Sequence, residues 1–172
     1  MKVAIAASLG ILALACAHTA SSGGDSSEAD RLIGTWGLVE VVHLRPDGGT
    51  TTSEFGTSPR GTIVYDRSGH MAAQISSDPR PTFHDPNGPT PEEGFAAFDS
   101  YLAYAGTYTY DPTRQVVTHH VEILLYPSLV GQNLPREVQM SRDRIVLLTP
   151  PRQEKKGELV RYRLTWSRLS GP

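Results

Sequence analysis

The chain has 172 residues, of which 38% are hydrophobic, and it contains 16 glycines and 13 prolines. This length allows one domain with a tail, and the turn-rich composition excludes a disordered chain or a coiled coil. The formal net charge is -2, so no basic surface is offered to nucleic acid or to an anionic membrane. We therefore expect no nucleic-acid partner.

The N-terminal residues predict export. Lys2 precedes an almost wholly apolar run that ends at Ala15, which is shorter than the roughly 20 residues that cross a bilayer and fits a signal peptide. The run closes with Ala13-Leu14-Ala15-Cys16, and small residues before a cysteine are typical of bacterial lipoprotein signals, in which the thiol is acylated. Ala13 and Ala15 also suit ordinary signal peptidase, so a secreted soluble protein is the alternative.

Cys16 is the only cysteine of the chain, so an internal disulfide cannot account for it. The residues after it are rich in serine and glycine, which predicts a flexible tether. The expected organisation is a signal peptide at 1–15, the acylated cysteine and tether at 16–30, and a folded domain at 31–169. Such a bacterial lipoprotein of the cell envelope faces the periplasm or the cell surface, and it contacts a membrane only through its N-terminal lipid.

After the tether, apolar and polar residues alternate with a period of two in short runs, which is typical of half-buried strands. About nine such runs are separated by turn residues, beginning with 34–44 and ending with 158–168. Because no strand–helix–strand spacing appears, the strands are expected to be antiparallel, and so many of them bury their edges best by closing into a barrel. The predicted fold is therefore all-β, with a single antiparallel barrel.

One short helix is predicted between the early and the late strands. A proline-rich excursion at 77–89 leads into a capping-box sequence that begins at Thr90. The excursion is a candidate lid over the open end of the barrel, with a stiffened surface loop as the alternative. Apolar residues then recur at helical spacing and predict one buried helix face: Phe95, Phe98 and Leu102.

Several segments, taken in order over about 32–166, resemble the bacterial and fungal lipocalin-like domain proteins. The segments are Leu32-Ile33-Gly34-Thr35-Trp36, Gly61-Thr62-Ile63-Val64-Tyr65, Gly69-His70-Met71 with Gln74, Phe98-Asp99-x-Tyr101-x-Ala103-Tyr104-x-Gly106-x-Tyr108, Val117-Thr118-His119-His120-Val121-Glu122 with Pro127 and Gly131, and Thr149-Pro150-Pro151. The resemblance implies a small lipocalin-like barrel with an internal pocket and no defined reaction. In lipocalins the first tryptophan plugs the closed end beside an arginine of the last strand, so the resemblance implies that Trp36 closes the barrel with Arg168, or with Arg163.

The pair His120 and Glu122 is the strongest candidate in the sequence for acid–base chemistry. Both point to one face of a predicted strand, and His119 points to the other. One hypothesis places the pair in the pocket, where it binds a polar ligand group or relays a proton. The other is a hydrogen-bonded structural pair. A metal site would need a third ligand, for which His70 and His84 are candidates.

Tyr104, Tyr108 and Gln74 are further candidates for ligand binding. A phenol combines an apolar ring with a hydroxyl group, which suits the wall of a pocket for an amphipathic molecule. An amide can orient a bound ligand. Core packing is the alternative for the tyrosines, and solvation is the alternative for Gln74.

We expect a protein that binds a small hydrophobic or amphipathic molecule in a closed cavity on the order of a few hundred Å³, with at least two of the candidate residues pointing into it. An isomerase or cyclase that uses His120 and Glu122 as an acid–base pair is the alternative, and a structural or inhibitory module acting through loops is the third hypothesis. The sequence contains no Gly-x-Ser-x-Gly elbow, phosphate-binding glycine loop or paired metal-ligand motif. Neither a cofactor nor a metal is therefore expected.

Overall fold

The computed structural model describes residues 23–80, 82–153 and 157–169, and its ten strands form one antiparallel sheet. The strands are β1 (Gly34–Leu44), β2 (Thr50–Thr52), β3 (Arg60–Tyr65), β4 (His70–Ser76), β5 (Tyr101–Asp111), β6 (Val116–Leu124), β7 (Asn133–Met140), β8 (Arg144–Leu148), β9 (Arg152–Gln153) and β10 (Leu159–Arg168). The described helices are α1 (Gly23–Leu32), α2 (Pro91–Asp99) and a single 3-10 turn, Pro127–Leu129.

The sheet closes on itself because β1 pairs with β10 as well as with β3. Eight strands form the barrel, and the short strands β2 and β9 flank it at the ends of the strand order β2-β1-β3-β4-β5-β6-β7-β8-β10-β9. Closure pairs the backbone groups that an open sheet would leave at its edges. The predicted antiparallel barrel, with a helix between the early and the late strands, is confirmed.

Helix α1 packs at the closed end of the barrel through its last residue, Leu32, which is fully buried. The Trp36 indole donates a hydrogen bond to the Leu32 carbonyl at 2.9 Å. Residues 23–30 were expected to belong to a flexible tether, and the described part of that segment is helical instead. Serine and glycine dominate its composition, but one buried leucine docks the helix on the barrel.

Arg168 completes the closed end from the other terminus of the domain. Its guanidinium carbon lies 4.0 Å from the centroid of the Trp36 ring. The same guanidinium donates to the carbonyls of Ile33 at 2.9 Å and of Arg31 at 2.7 Å. Arg163, the other candidate for this position, instead pairs with Glu40.

The open end is formed by the connections from β1 to β3, from β4 to β5, from β6 to β7 and from β8 to β10, and α2 belongs to the second of these. Helix α2 begins with the predicted capping box between Thr90 and Glu93, and it contains no buried residue. Phe95 is 69% exposed, whereas the Phe98 ring packs edge-on against Tyr126 in the loop after β6, so the predicted apolar face is in contact only in part. Leu102 does not belong to the helix, because β5 begins at Tyr101 and pairs with β4 from there.

The predicted signal peptide at 1–15 and the lipidation site Cys16 lie outside the described residues. Within the described part of the chain, no helix is long and apolar enough to cross a membrane.

Candidate functional site

The strand register shows which side chains face the interior, because residues directly opposite each other on neighbouring strands share a face. On β6, Val117, His119 and Val121 are buried. His120 and Glu122 therefore point to the outer face of the barrel. His120 is hydrogen-bonded there to the Thr109 hydroxyl at 3.0 Å and to the Asn133 amide oxygen at 2.7 Å, and Glu122 is exposed.

The acid–base pair that the sequence placed in the pocket is thus not inside the barrel. The period of two shows which residues of a strand share a face, but it does not show which face is inside. The two valines that flank His119 carry the signal that the hypothesis overlooked, since apolar neighbours mark the core face. The inward histidine is His119, which is fully buried.

A β-bulge between β5 and β6 ends this alternation at Glu122. A Cβ atom on Gly106 would lie 2.0 Å from the His120 carbonyl oxygen, so the bulged backbone of β6 occupies the space that the missing side chain leaves. Beyond the bulge Ile123 is 69% exposed and Leu124 is buried. The bulge therefore turns Leu124 inward and Ile123 outward.

Two of the other three candidates face the interior. Tyr104 lies opposite the buried Ala73, and its hydroxyl is 2.9 Å from the Nδ1 atom of His119. Tyr108 also faces inward, but its hydroxyl donates a hydrogen bond to the Asp66 carbonyl at 2.8 Å. Its hydroxyl proton is therefore already used at the closed end of the barrel. Gln74 lies on the outer face, where its amide oxygen accepts a hydrogen bond from Tyr101 at 2.9 Å.

His119 joins two tyrosines in the interior. Its Nε2 atom is 2.7 Å from the Tyr65 hydroxyl, and its Nδ1 atom is bonded to Tyr104. Burial lowers the pKa of His119 from 6.5 to about 3, and the positive charge of Arg136 acts in the same direction. The imidazole is therefore neutral at neutral pH. Burial also raises the pKa of Tyr65 and of Tyr104, which keeps both phenols protonated.

The hydrogen-bond count limits what the three side chains can do. A neutral imidazole has one donor and one acceptor nitrogen, so one tyrosine donates to it and the other accepts from it. Tyr65 and Tyr104 have no other hydrogen-bond partner among the described residues. The tyrosine that accepts therefore keeps a hydroxyl proton that no described group accepts.

The interior is sealed at one end and accessible at the other. The sealed half, near Trp36, consists of side chains that are less than 2% exposed: Trp36, Ile63, Tyr65, Val117, Ile145 and Trp166. In the accessible half, buried side chains such as Val41, Ile75 and Leu147 alternate with inward-facing side chains that remain partly exposed: Leu38, Leu102, Tyr104, Leu134 and Leu164. The Tyr65–His119–Tyr104 hydrogen bonds form the floor between the two halves.

Two depressions of about 150 and 170 Å³ lie beside β1, and both are open to solvent, so neither is the predicted closed cavity. Neither is lined by any of the five candidate ligand-binding residues. Core side chains fill the sealed half.

A histidine–glutamate pair does exist at the open end, but it is made by other residues. The Nε2 atom of His43 lies 3.1 Å from Oε2 of Glu54, and the Tyr162 hydroxyl donates to Oε1 of the same carboxylate at 2.9 Å. Glu54 follows β2, and Tyr162 lies on β10, opposite His43. No sequence pattern connects these residues, because their proximity depends on barrel closure and on the course of a loop.

The described residues contain no group of three histidine, cysteine or acidic side chains that could hold a metal ion. The two histidines considered as third ligands lie apart from His120. His70 is bonded through Nδ1 to the Ser68 hydroxyl, and His84 lies in the loop before α2.

A closed antiparallel barrel with a tryptophan and an arginine at its sealed end defines the class of lipocalin-like proteins. Residues 33–169 match the family model of the lipocalin-like domain. The chain belongs to this family, which confirms the resemblance that the sequence motifs indicated.

Two solved structures are similar to this chain at low sequence identity. One is a complex of bovine odorant binding protein with a selenium-containing odorant, with 15% identity, a TM-score of 0.41, and coverage of 83% of this chain and 73% of that chain. The other is bovine odorant binding protein with its natural ligand, with 15% identity, a TM-score of 0.40, and coverage of 83% and 74%. No curated protein sequence matches this chain.

Proposed function

We propose that this protein binds a small hydrophobic or amphipathic molecule in the accessible half of the barrel. The observation that carries the proposal is the contrast in exposure between the two halves. Four inward-facing leucines beyond the floor remain partly exposed, although their neighbours Val41, Ile75 and Leu147 are buried, whereas the large side chains around Trp36 are less than 2% exposed. Apolar walls with a few polar groups at the base are typical of small-molecule sites.

The walls and the floor of this site have different chemistry. Leu38, Leu102, Leu134 and Leu164 provide aliphatic surface, which favours an apolar portion of the ligand. At the floor, the Tyr104 hydroxyl lies 2.9 Å from the Nδ1 atom of His119 and provides a polar group. A ligand that places a polar group at the floor and its apolar part along the leucines satisfies both.

The route into the site passes the segment between β4 and β5. Helix α2 has no buried residue, and the loop at 82–90 is exposed. Moving this segment therefore costs little apolar burial, which is what a lid requires. Its attachments include the bond from Arg80 to the Ala97 carbonyl at 2.9 Å and the edge-on contact between the Phe98 and Tyr126 rings.

A fluorescence experiment tests the proposal with the purified full chain. A naphthylamine dye whose emission depends on polarity is titrated into the wild-type protein and into Leu134→Trp, which fills the accessible half. The matched control is Ile123→Trp, because Ile123 is 69% exposed on the outer face. We expect the dye to bind the wild type and the control equally and the filled variant at least about tenfold more weakly. Absence of dye binding, or equal binding by all three proteins at unchanged melting temperature, would contradict the proposal.

We also propose that the protein acts in the cell envelope, exported and anchored by an acyl group on Cys16. The support is the N-terminal sequence: an apolar run, small residues before a single cysteine, and a serine- and glycine-rich segment after it. Cys16→Ser should move the protein from the membrane fraction to the soluble exported fraction, whereas Ser21→Ala should not. Unchanged membrane association of Cys16→Ser would exclude the lipid anchor.

A further inference from the structure

Four side chains at the open end of the barrel form a hydrogen-bonded cluster, which we call the mouth cluster: His43, Glu54, Arg152 and Tyr162. His43 and Tyr162 lie directly opposite each other on β1 and β10. Both face the interior, because each is two residues from an inward-facing neighbour, Val41 on β1 and Leu164 on β10. Leu164 is one of the partly exposed leucines, so the mouth cluster borders the accessible half at its opening.

The carboxylate of this cluster has a fixed position. Glu54 lies in the connection between β2 and β3, and its neighbours Ser53 and Phe55 are each only 6% exposed. The backbone N–H of Phe55 also donates to the Ser53 hydroxyl at 3.3 Å. Two buried neighbours anchor the connection, and Glu54 extends from between them to His43 and Tyr162.

The chemistry of a carboxylate sets the direction of these hydrogen bonds. An ionised carboxylate only accepts, so the Nε2 atom of His43 donates to Oε2 of Glu54 across 3.1 Å. In the neutral imidazole the other nitrogen, Nδ1, then carries no proton and is an acceptor. The Tyr162 hydroxyl donates to Oε1 of Glu54 and accepts from Arg152, whose guanidinium also stacks on its ring. Its one proton is therefore already used.

The Nδ1 atom of His43 is an acceptor that no described residue uses. It has no hydrogen-bond partner among the described residues, and it does not belong to their buried polar atoms that lack one. It is therefore reached from the opening, although the side chain as a whole is only 16% exposed. An accessible acceptor without a protein donor, beside apolar walls, is suited to a donor on a bound molecule.

Resting on the proposed function, we infer that the ligand carries a hydroxyl group that donates a hydrogen bond to the Nδ1 atom of His43. Glu54 is a positioning residue, because it holds the imidazole ring and keeps its proton on Nε2. An ether has no proton to donate, and a carboxylate lacks one as well and would lie near the negative charge of Glu54. The ligand is therefore an alcohol with its apolar part along the leucines, and the floor is left to a second polar group.

Dye displacement tests the inference on the full chain at pH 8, where an ordinary histidine is neutral. The competitors are dodecanol and dodecyl methyl ether, and the measured quantity is the ratio of their affinities within one protein. We expect this ratio to be about fivefold higher in the wild type than in His43→Phe, as for one neutral hydrogen bond. His43→Asn, whose amide oxygen lies near the place of Nδ1, should restore part of the ratio.

The matched control is His120→Phe, on the outer face, where the imidazole is bonded to Thr109 and Asn133. It should keep the wild-type ratio. Because each ratio is taken within one protein, a general loss of stability does not change it.

Glu54→Gln tests the positioning role with almost no change of shape. Since Tyr162 donates to Oε1, the amide oxygen should take that place and the amide nitrogen should face His43. The amide then donates to Nε2, which moves the imidazole proton to Nδ1 and removes the acceptor. We expect the affinity ratio to fall to that of His43→Phe.

Nitrogen-15 spectra of the histidine side chains report the tautomer directly. The His43 signals are assigned by their absence in His43→Phe. At pH 8 the proton should be on Nε2 in the wild type and on Nδ1 in Glu54→Gln. Dodecanol should shift the Nδ1 resonance of the wild type, whereas the ether should not. A purely structural role of Glu54 would leave the tautomer unchanged, and a proton on Nδ1 in the wild type would contradict the inference.

The outcomes distinguish the two claims. If the dye binds and the affinity ratio is the same in the wild type and in His43→Phe, the inference is wrong and the proposed function stands. The same holds if Tyr104→Phe removes the preference for the alcohol and His43→Phe does not, since the hydroxyl then binds at the floor. If the dye does not bind, both claims are wrong.

Discussion

The two halves of the barrel interior are built from similar apolar residues but differ in solvent exposure. The sealed half contains both tryptophans, which have almost no accessible surface. In the accessible half, four leucines and Tyr104 retain accessible surface in spite of their apolar character, although Val41, Ile75 and Leu147 are buried there. The large side chains that are fully buried are therefore found mostly at one end of the barrel.

The largest change in the free energy of unfolding is expected from Trp36→Ala. Removing a fully buried tryptophan costs about 3–5 kcal/mol, and here it also removes the ring on which Arg168 stacks. Urea denaturation should show this decrease in the free energy of unfolding. Phe95→Ala, on the exposed helix α2, should cost less than about 0.5 kcal/mol. Equal losses for the two variants would remove the distinction between the ends.

The pH dependence of stability tests whether His119, in the floor between the two halves, is neutral in the folded protein. The pKa of His119 is lowered from 6.5 to about 3 by burial, so between these values the unfolded chain binds a proton that the folded chain does not. Stability is therefore complete above pH 6.5 and decreases as the pH falls, by about 3 kcal/mol between pH 7 and pH 4. His119→Gln should flatten this dependence in urea denaturation, whereas His120→Gln, on the outer face, should retain it. Parallel curves for both variants would contradict the neutral buried imidazole.

A pair of glycine substitutions compares the barrel wall with the lid. Gly106→Ala would place a Cβ atom 2.0 Å from the His120 carbonyl oxygen, and we expect a loss of about 2 kcal/mol, as for other overpacked sites. Gly94→Ala, in α2, meets only one side-chain atom at 3.8 Å, and it should raise local helix stability by about 0.5–1 kcal/mol. Thermal melting distinguishes the two, and a neutral Gly106→Ala would show that the bulge is not held by close contact.

The smallest effect is expected from Thr90→Ala, which removes the capping box of α2. Such a cap contributes about 1 kcal/mol to its helix. Because α2 contains no buried residue, the loss should appear in amide hydrogen exchange of the helix and not in the global melting temperature. A matching fall in the melting temperature would show that α2 is part of the cooperative barrel and not a separate lid.

Local patterns predicted local structure well. The bounds predicted for β1 coincide with those observed, Gly34–Leu44, because alternation is regular there and turn residues follow. The start of α2 was predicted from the capping box at Thr90. The end of α2 was not, because Leu102 continues the helical spacing of Phe98. Pairing with β4 decides that position, and pairing is not visible in one segment.

The site was less predictable because it depends on contacts between distant segments. Tyr104 was among the candidate residues and faces the interior, but its partner His119 was passed over in favour of His120. Which face of β6 is inside depends on the whole barrel. The pairing of His43 with Glu54 likewise depends on strand register, which a single sequence does not reveal.

The position of the two tryptophans has a spectroscopic consequence. Trp36 and Trp166 are the only tryptophans of the chain, and both are buried inside the barrel. Intrinsic emission therefore comes entirely from the interior, with no surface background. Trp36 lies under the fixed charge of Arg168, far from the opening, whereas Trp166 borders the accessible half. The protein thus carries an internal optical probe, in which one indole registers occupancy and the other serves as the reference.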